Sequence, residues 1–263
     1  MLIIKVGGGE SINLRGIAAD LAQLQEQVIV VHGANALRDR LASALGRPKT
    51  VLTSVSGYSS VYSDDTALEL LMMAYAGLRN KRFVELCQQH GINAVGLTGL
   101  DGRSIQGRRN RGIRVRENGR LRIVRDLSGK PQRVNAGLLR MLLEHGYTPV
   151  LTVPIVDENG YAINSENDDV VAVLQAEFQA GMVLQLIEAP GLLRDRNDPN
   201  TLIPRLPREA LGRQEQHVSG RMKRKILALR RLFEHGVQTV VISDGRVEHP
   251  IRDALNGKGT VIQ

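Results

Sequence analysis

The amino-acid sequence predicts an α/β fold: an open, mainly parallel sheet with helices on both faces. Three segments of one pattern predict it. Glu85-Leu86-Cys87-Gln88-Gln89-His90-Gly91 precedes Ala94-Val95-Gly96-Leu97, Leu142-Leu143-Glu144-His145-Gly146 precedes Pro149-Val150-Leu151, and Leu232-Phe233-Glu234-His235-Gly236 precedes Thr239-Val240-Val241-Ile242. Each reads as an amphipathic helix, a His-Gly stop and a short apolar strand. Glycine tolerates the left-handed conformation of a helix C-cap, and histidine in the last turn complements the negative helix end. Helices alternating with short apolar strands imply parallel pairing through right-handed crossovers. Composition agrees. Of 263 residues, 42% are hydrophobic but only 3% aromatic, with no Trp, so the core has to be aliphatic, as in a sheet buried on both faces.

Element by element, the pattern places strands at Leu2–Val6, Val28–His32, Ala94–Thr98, Thr148–Val153, Val183–Ile187 and Thr239–Ser243. Helices are expected at Ile12–Gln25, Ala36–Leu45, Asp65–His90, Val134–His145, Asp168–Ala180 and Arg221–His235. One stretch breaks the rhythm. Residues 105–125 alternate apolar and basic side chains around Asn118-Gly119, a strong hairpin-turn signal. From Arg103 to Arg125 there are nine arginines against one acid, Glu117. This reads as an exposed basic hairpin added to the sheet, either a solvated, aggregation-resistant edge or a docking surface. No linker or low-complexity tract interrupts the chain, so residues 1–263 form one domain. A soft boundary near Asp157-Glu158-Asn159-Gly160 separates an N-terminal lobe, about 1–156, from a C-terminal lobe, about 157–263.

Several function classes fall away at this stage. No apolar run approaches the roughly 20 residues that span a bilayer. Met1-Leu2-Ile3-Ile4-Lys5-Val6 lacks a basic n-region and reads as a first strand rather than a signal peptide. Cys87 is the only cysteine and lies in an apolar helical stretch, so it is expected to be buried and inert, with no intrachain disulfide. These features point to the cytoplasm. The net charge of +8 fits a solvated basic surface, nucleotide phosphates, an acidic protein or nucleic acid. Nucleic acid is the least favoured of these, since stacking aromatics and recognised modules are lacking.

Four signals carry chemistry. Lys5-Val6-Gly7-Gly8-Gly9 follows the first strand directly. Three glycines let a backbone approach an anion and turn its N–H groups on it, although a tight strand–helix turn needs small residues too. It is neither a Walker A loop nor a dinucleotide fingerprint, because Ile12 stands where the third glycine would be. Val30-Val31-His32-Gly33-Ala34-Asn35 repeats the design after the second strand. In Asn164-Ser165-Glu166-Asn167-Asp168-Asp169, Asn164 can cap a following turn and Asp168 lies about one turn later, where a carboxylate can also serve merely as a dipole partner. Ser219-Gly220-Arg221-Met222-Lys223-Arg224-Lys225 opens a long helix with four cations, which oppose the helix dipole and favour a bound phosphate over a merely solvated charge run.

Those four signals, in that order, resemble the amino acid kinase family over nearly the whole chain. The acylamino-acid kinase branch is the most similar, above all its carrier-linked aminoadipate kinases and then its N-acetylglutamate kinases. Asn80-Lys81-Arg82, Gly96-Leu97-Thr98-Gly99-Leu100-Asp101-Gly102, Glu188-Ala189-Pro190-Gly191-Leu192 and Asp244-Gly245-Arg246 support the match. The resemblance implies a three-layer αβα sandwich of the carbamate kinase-like type, a homodimer, and ATP-dependent phosphorylation of a side-chain carboxylate. Mg²⁺ would arrive with ATP rather than on a protein metal site. Lys5 and Lys225 match the lysines flanking the transferring phosphoryl group, and Asp168 the aspartate that holds them. Gly7, Gly8, Gly33, Ala34 and Asn164 match substrate-side positions. Glu188, Gly191, Leu192, Arg221, Met222 and Lys223 fall where nucleotide is bound. The implied partner is a small acidic amino-group carrier protein, which Arg108, Arg109, Arg111, Arg114 and Arg116 would attract. Two positions depart from the family: Ala34 replaces the second glycine of a His-Gly-Gly loop, and Val61 stands where an arginine usually pairs with the acceptor.

Overall fold

Runs such as Leu2–Val6 and Val28–His32, apolar but for Lys5 and His32, are buried at every position, because a strand in the middle of a parallel sheet has two covered faces. The computed structural model describes residues 1–263 apart from Tyr58, Asn118, Gly119, Arg196, Val218 and Ser219. Of Glu117, Gln214, His217 and residues 220–223 it describes the backbone alone. Eight described strands form one sheet in the order Arg205–Leu206, Thr260–Ile262, Thr239–Asp244, Met182–Ile187, Leu2–Val6, Val28–His32, Thr148–Thr152, Ala94–Thr98. All neighbours are parallel except Thr239–Asp244 with Thr260–Ile262.

The two-residue period of a strand sorts the core into two halves. Ile3, Ile29, Val31, Leu151 and Val183 pack with the helices Ala136–Glu144, Asn167–Phe178 and Gly220–Glu234. Leu2, Ile4, Val6, Val28 and Val30 pack on the other side with Leu14–Leu21, Asn80–Gln89 and Pro250–Leu255. This is the expected three-layer arrangement. The strand positions match those read from sequence to within a residue or so. The three His-Gly stops are also present: Gly91, Gly146 and Gly236 take φ of 75°, 76° and 84°.

Three features differ from the sequence reading. The segment 65–90 is not one regular helix. Asp65–Leu71 is α-helical, Met72–Arg79 is a π-helix, and Asn80–Gln89 returns to α. A widened turn leaves the apolar pattern legible on either side, so periodicity does not reveal it. The basic hairpin does not join the main sheet. Among the described residues, Ile113–Glu117 and Arg120–Val124 form a two-stranded sheet of their own, and the Asn118-Gly119 turn lies outside the described residues. The hairpin is tethered at Ser54, which bridges Val115, rather than along a strand edge. Finally, Ile105–Arg109 belongs to a second sheet with Gly129–Val134, Ile155–Val156 and Ala162–Ile163. Asp157-Glu158-Asn159-Gly160 is the tight turn inside that sheet, closed by amides of Asn159 and Tyr161 donating to Asp157 Oδ1 at 2.9 and 2.8 Å.

Candidate active site

Lys5 is the only polar residue of the first strand, and its alternation puts it on the Ile3 face, beneath the helices Asn167–Phe178 and Gly220–Glu234. Its Nζ lies 3.1 Å from Oδ1 of Asp168, which stands in the first turn of the former helix. Both are largely buried. Burial works against the Asp168 charge, yet the ammonium groups of Lys5 and Lys225, with the Lys5 proton and Arg224 behind them, hold its carboxyl below the usual range. Lys225 is exposed on the helix Gly220–Glu234. Asp168 is therefore an ionised anchor that feels both cations.

The two glycine-containing loops meet beside Lys5. The Gly33 amide donates to Val6 O at 2.9 Å and the Ala36 amide to Gly8 O at 3.0 Å. A Cβ on Gly8 would lie 2.6 Å from Ala34 N and 2.7 Å from Asn35 N. One on Gly33 would lie 3.0 Å from the Gly8 backbone. Gly7 is tighter against the sheet, its amide donating to Leu186 O at 2.8 Å. Ala34 is fully buried, its methyl group accommodated in the apolar core. This packing brings Gly7, Gly8, Gly33 and Ala34 together at the ends of the first two strands. Among the described residues the Gly8 and Gly9 amides donate to no protein acceptor.

Asn164 does not cap the helix that follows. Glu166 is the N-cap residue, and Asn164 instead donates Nδ2 to Ser63 Oγ at 2.9 Å. It lines a cleft of about 510 Å³ together with Val61, Arg114, Lys130, Glu166 and Asp169, among others. On the opposite side, Glu188 accepts from the Ser11 amide at 2.7 Å and lies against Gly9. Gly191 takes φ of 158° and has no room for a side chain, since a Cβ would lie 2.7 Å from Thr260 Oγ1. That hydroxyl accepts the Leu192 amide at 2.8 Å. The glycine loops, Asp168 and Glu188 thus gather around the ends of adjacent strands, where open α/β sheets hold ligands. The backbone of Arg221, Met222 and Lys223 lies in the helix Gly220–Glu234, and their side chains fall outside the described residues. The cation cluster at this helix start finds part of its anion inside the protein, for Arg224 pairs with Glu166.

The sequence profile of the amino acid kinase family matches residues 1–244. The chain belongs to that family. A [LysW]-aminoadipate kinase of Thermus thermophilus is 41% identical over 269 residues, covering 100% of both chains. An acetylglutamate kinase of Methanopyrus kandleri is 31% identical over 265 residues, again covering 100% of both. Among solved structures, an N-acetylglutamate synthase from Neisseria gonorrhoeae superposes with a TM-score of 0.79 at 23% identity, over 99% of this chain and 58% of that longer one. Giardia carbamate kinase superposes with a TM-score of 0.67 at 13% identity, over 99% and 97% of the two chains. These two show a shared amino acid kinase fold.

The geometry adds residues that motif reading of this amino acid kinase missed. Arg79 ends the π-helix and reaches toward the Gly9 carbonyl, with its Nε buried and without a partner among the described residues. Burial lowers its guanidinium pKa while Glu188 opposes that change. Ser165 Oγ and Asn167 Oδ1, flanking Glu166 before Asp168, are likewise buried without hydrogen-bond partners among the described residues. No sequence signal beyond proximity to Asp168 singles them out. His32 is fully buried, and its Nε2 is 3.0 Å from Asn80 Nδ2, which also donates to Val150 O. Asn80 donates, so the His32 proton sits on Nδ1, facing the Gly33 carbonyl at 3.3 Å. Burial, opposed by that carbonyl and aided by Arg79 and Lys81, pushes the His32 pKa down to about 3.

A pH prediction follows. The folded protein refuses a proton that the unfolded chain accepts below about 6.5, so stability falls as pH drops from there toward 3. Asp168 adds to the loss at the acid end, because the stability from its depressed folded pKa is full above the unfolded pKa and is lost as pH falls through the folded one. Urea unfolding of His32→Gln between pH 7 and pH 4 is expected to show a shallower decline than wild type. An unchanged slope would contradict the buried neutral imidazole.

Proposed function

We propose that this protein moves the γ-phosphoryl group of ATP onto the side-chain carboxylate of an amino-blocked acidic amino acid, with carrier-bound 2-aminoadipate as the acceptor. The observation that carries the reading is Lys5 at 3.1 Å from a buried, ionised Asp168 beside the Gly8–Gly33 loop contact. Full-length similarity to a [LysW]-aminoadipate kinase supports the acceptor.

The chemistry asks little proton transfer of the protein. An acceptor carboxylate is ionised at pH 7, so no general base is required, and the obstacle is its repulsion by the γ-phosphate. Lys5 and Lys225 offset that repulsion and the charge that spreads over the in-line transition state. Asp168 stays ionised and orients the ammonium groups, while the Gly7-Gly8 and Gly33-Ala34 backbones bring N–H groups close to the reacting oxygens. Asn164 meets the acceptor. Glu188, Gly191, Leu192, Arg221, Met222 and Lys223 line the nucleotide side. Among the described residues no group of three His, Cys, Asp or Glu could hold a metal ion. In this reading Mg²⁺ enters as part of the nucleotide substrate, keeping most of its water.

In the same reading the lobe about 1–156 binds the acceptor, the lobe about 157–263 binds ATP, and the enzyme works as a homodimer in the cytoplasm. No helix among the described residues is long and apolar enough to cross a membrane. The basic segment receives a small acidic amino-group carrier. Arg108, Arg111, Arg114 and Arg116 are exposed, whereas Arg109 is half-buried, with its Nε donating to Asp126 O. Hydroxylamine trapping tests the proposal. With ATP and Mg²⁺, charged carrier is expected to yield hydroxamate. Hydroxamate from free N-acetylglutamate and none from the carrier would shift the acceptor to that of an acetylglutamate kinase. Turnover with neither would end the kinase reading.

A further inference from the structure

The cleft beside Asn164 has a charge balance that the phosphoryl-transfer residues do not explain. Four cations line it: Arg114 from the hairpin, Lys130 from the second sheet, and Arg224 and Arg231 from the helix Gly220–Glu234. Two carboxylates line it as well, and each is already taken. Glu166 pairs with Arg224, and Asp169 pairs with Arg231 at 2.8 Å. Arg114 and Lys130 have no carboxylate partner among the described residues, so the cleft carries two uncompensated positive charges. Its other walls include Ser54, Ser60 and Val61, which bring none. At about 510 Å³ the space suits a small polar metabolite.

Arg114 is held at this cleft by its own backbone. Its carbonyl accepts the Val55 amide at 2.9 Å, and the next residue, Val115, bridges Ser54. The hairpin is thereby joined to the cleft wall, which places one arginine of the basic segment at the acceptor side. We infer that Arg114, with Lys130 behind it, receives the main-chain carboxylate of the acceptor, leaving the side-chain carboxylate to Lys5 and Lys225. Arginine suits the task because its planar fork grips a carboxylate through two hydrogen bonds. This deepens the kinase reading, on which it rests, and it separates Arg114 from the other arginines of the segment. Arg111 and Arg116 steer a carrier, while Arg114 touches the small molecule that any carrier delivers.

Calorimetry with free N-acetyl-2-aminoadipate, which has both carboxylates and no carrier, provides the test. Arg114→Val is expected to weaken binding by about tenfold to a hundredfold, the range for a lost hydrogen bond to a charged group. Arg116→Val should leave binding within about twofold, since an exposed charge away from the ligand contributes little. In the Arg114→Val background, Val61→Arg restores a cation to the cleft lining and should recover part of the affinity. The assignment is overturned if Arg114→Val leaves the free probe unaffected and lowers only turnover of carrier-bound acceptor, or if Arg116→Val weakens the probe equally. A wild-type protein that phosphorylates carrier-bound acceptor but does not bind the probe also overturns it, with the kinase reading intact. Arg114-dependent binding without any phosphoryl transfer would sustain the assignment and sink the kinase reading alone.

Discussion

Lys5→Ala is expected to lower kcat by about a hundredfold to a thousandfold, the scale for removing one preorganised electrostatic contact to a transition state. The KM for the acceptor should change little, because Lys5 is placed to meet charge that develops during transfer rather than charge bound in the ground state. A structural penalty accompanies the kinetic one. Lys5 is 9% exposed, and its loss strands the Asp168 carboxylate in a buried site. Breaking such a pair costs about 3 kcal/mol. The two penalties come apart in the double variant Lys5→Ala/Asp168→Asn. Neutralising both partners should return most of the stability while leaving turnover as low as in the single variant. Denaturant unfolding and steady-state rates on the same preparations check this. A Lys5→Ala enzyme with near-normal kcat would remove the lysine from the mechanism. A double variant as unstable as the single one would mean that the ion pair is not what Lys5 supplies to folding.

Gly8→Ala should be nearly as damaging, for a steric reason. The added carbon would lie 2.6 Å from Ala34 N and 2.7 Å from Asn35 N, and backbone amides cannot swing aside as a side chain does. The two loops would have to part. A loss of about 1–3 kcal/mol is the usual cost of overpacking. Activity should fall by at least a hundredfold, because displacement of about 1 Å in a positioned site has that effect. The control is Gly212→Ala in the helix Ala210–His217, where nothing lies within 4 Å of the new methyl group. There the same substitution should stabilise slightly, by about 0.5 kcal/mol, because alanine forfeits less backbone entropy on entering a helix. If Gly8→Ala proved as mild as Gly212→Ala in both melting temperature and kcat, the loop contact would not be a determinant of the site.

How much of this was legible in the sequence depends on the range over which each feature is decided. The strands Leu2–Val6 and Val28–His32 were readable to the residue, because a short, mainly aliphatic run has to be buried on both faces. The His-Gly helix stops were readable because one glycine with positive φ encodes them locally. Strand alternation even indicates that Lys5 shares a face with Ile3. The family resemblance pointed to Asp168 as the partner of Lys5, but no local pattern does, and only tertiary structure brings the two together. Asp168 lies 163 residues further along the chain, and crossovers through both helix layers bring it to 3.1 Å. The same holds for Arg79, which ends the π-helix and reaches the Gly9 carbonyl, and for the hairpin, which the alternation of residues 113–124 foretold but could not attach. A sequence period reports the burial of one element, whereas a site is set by the register between elements, and that is settled only when the whole core packs.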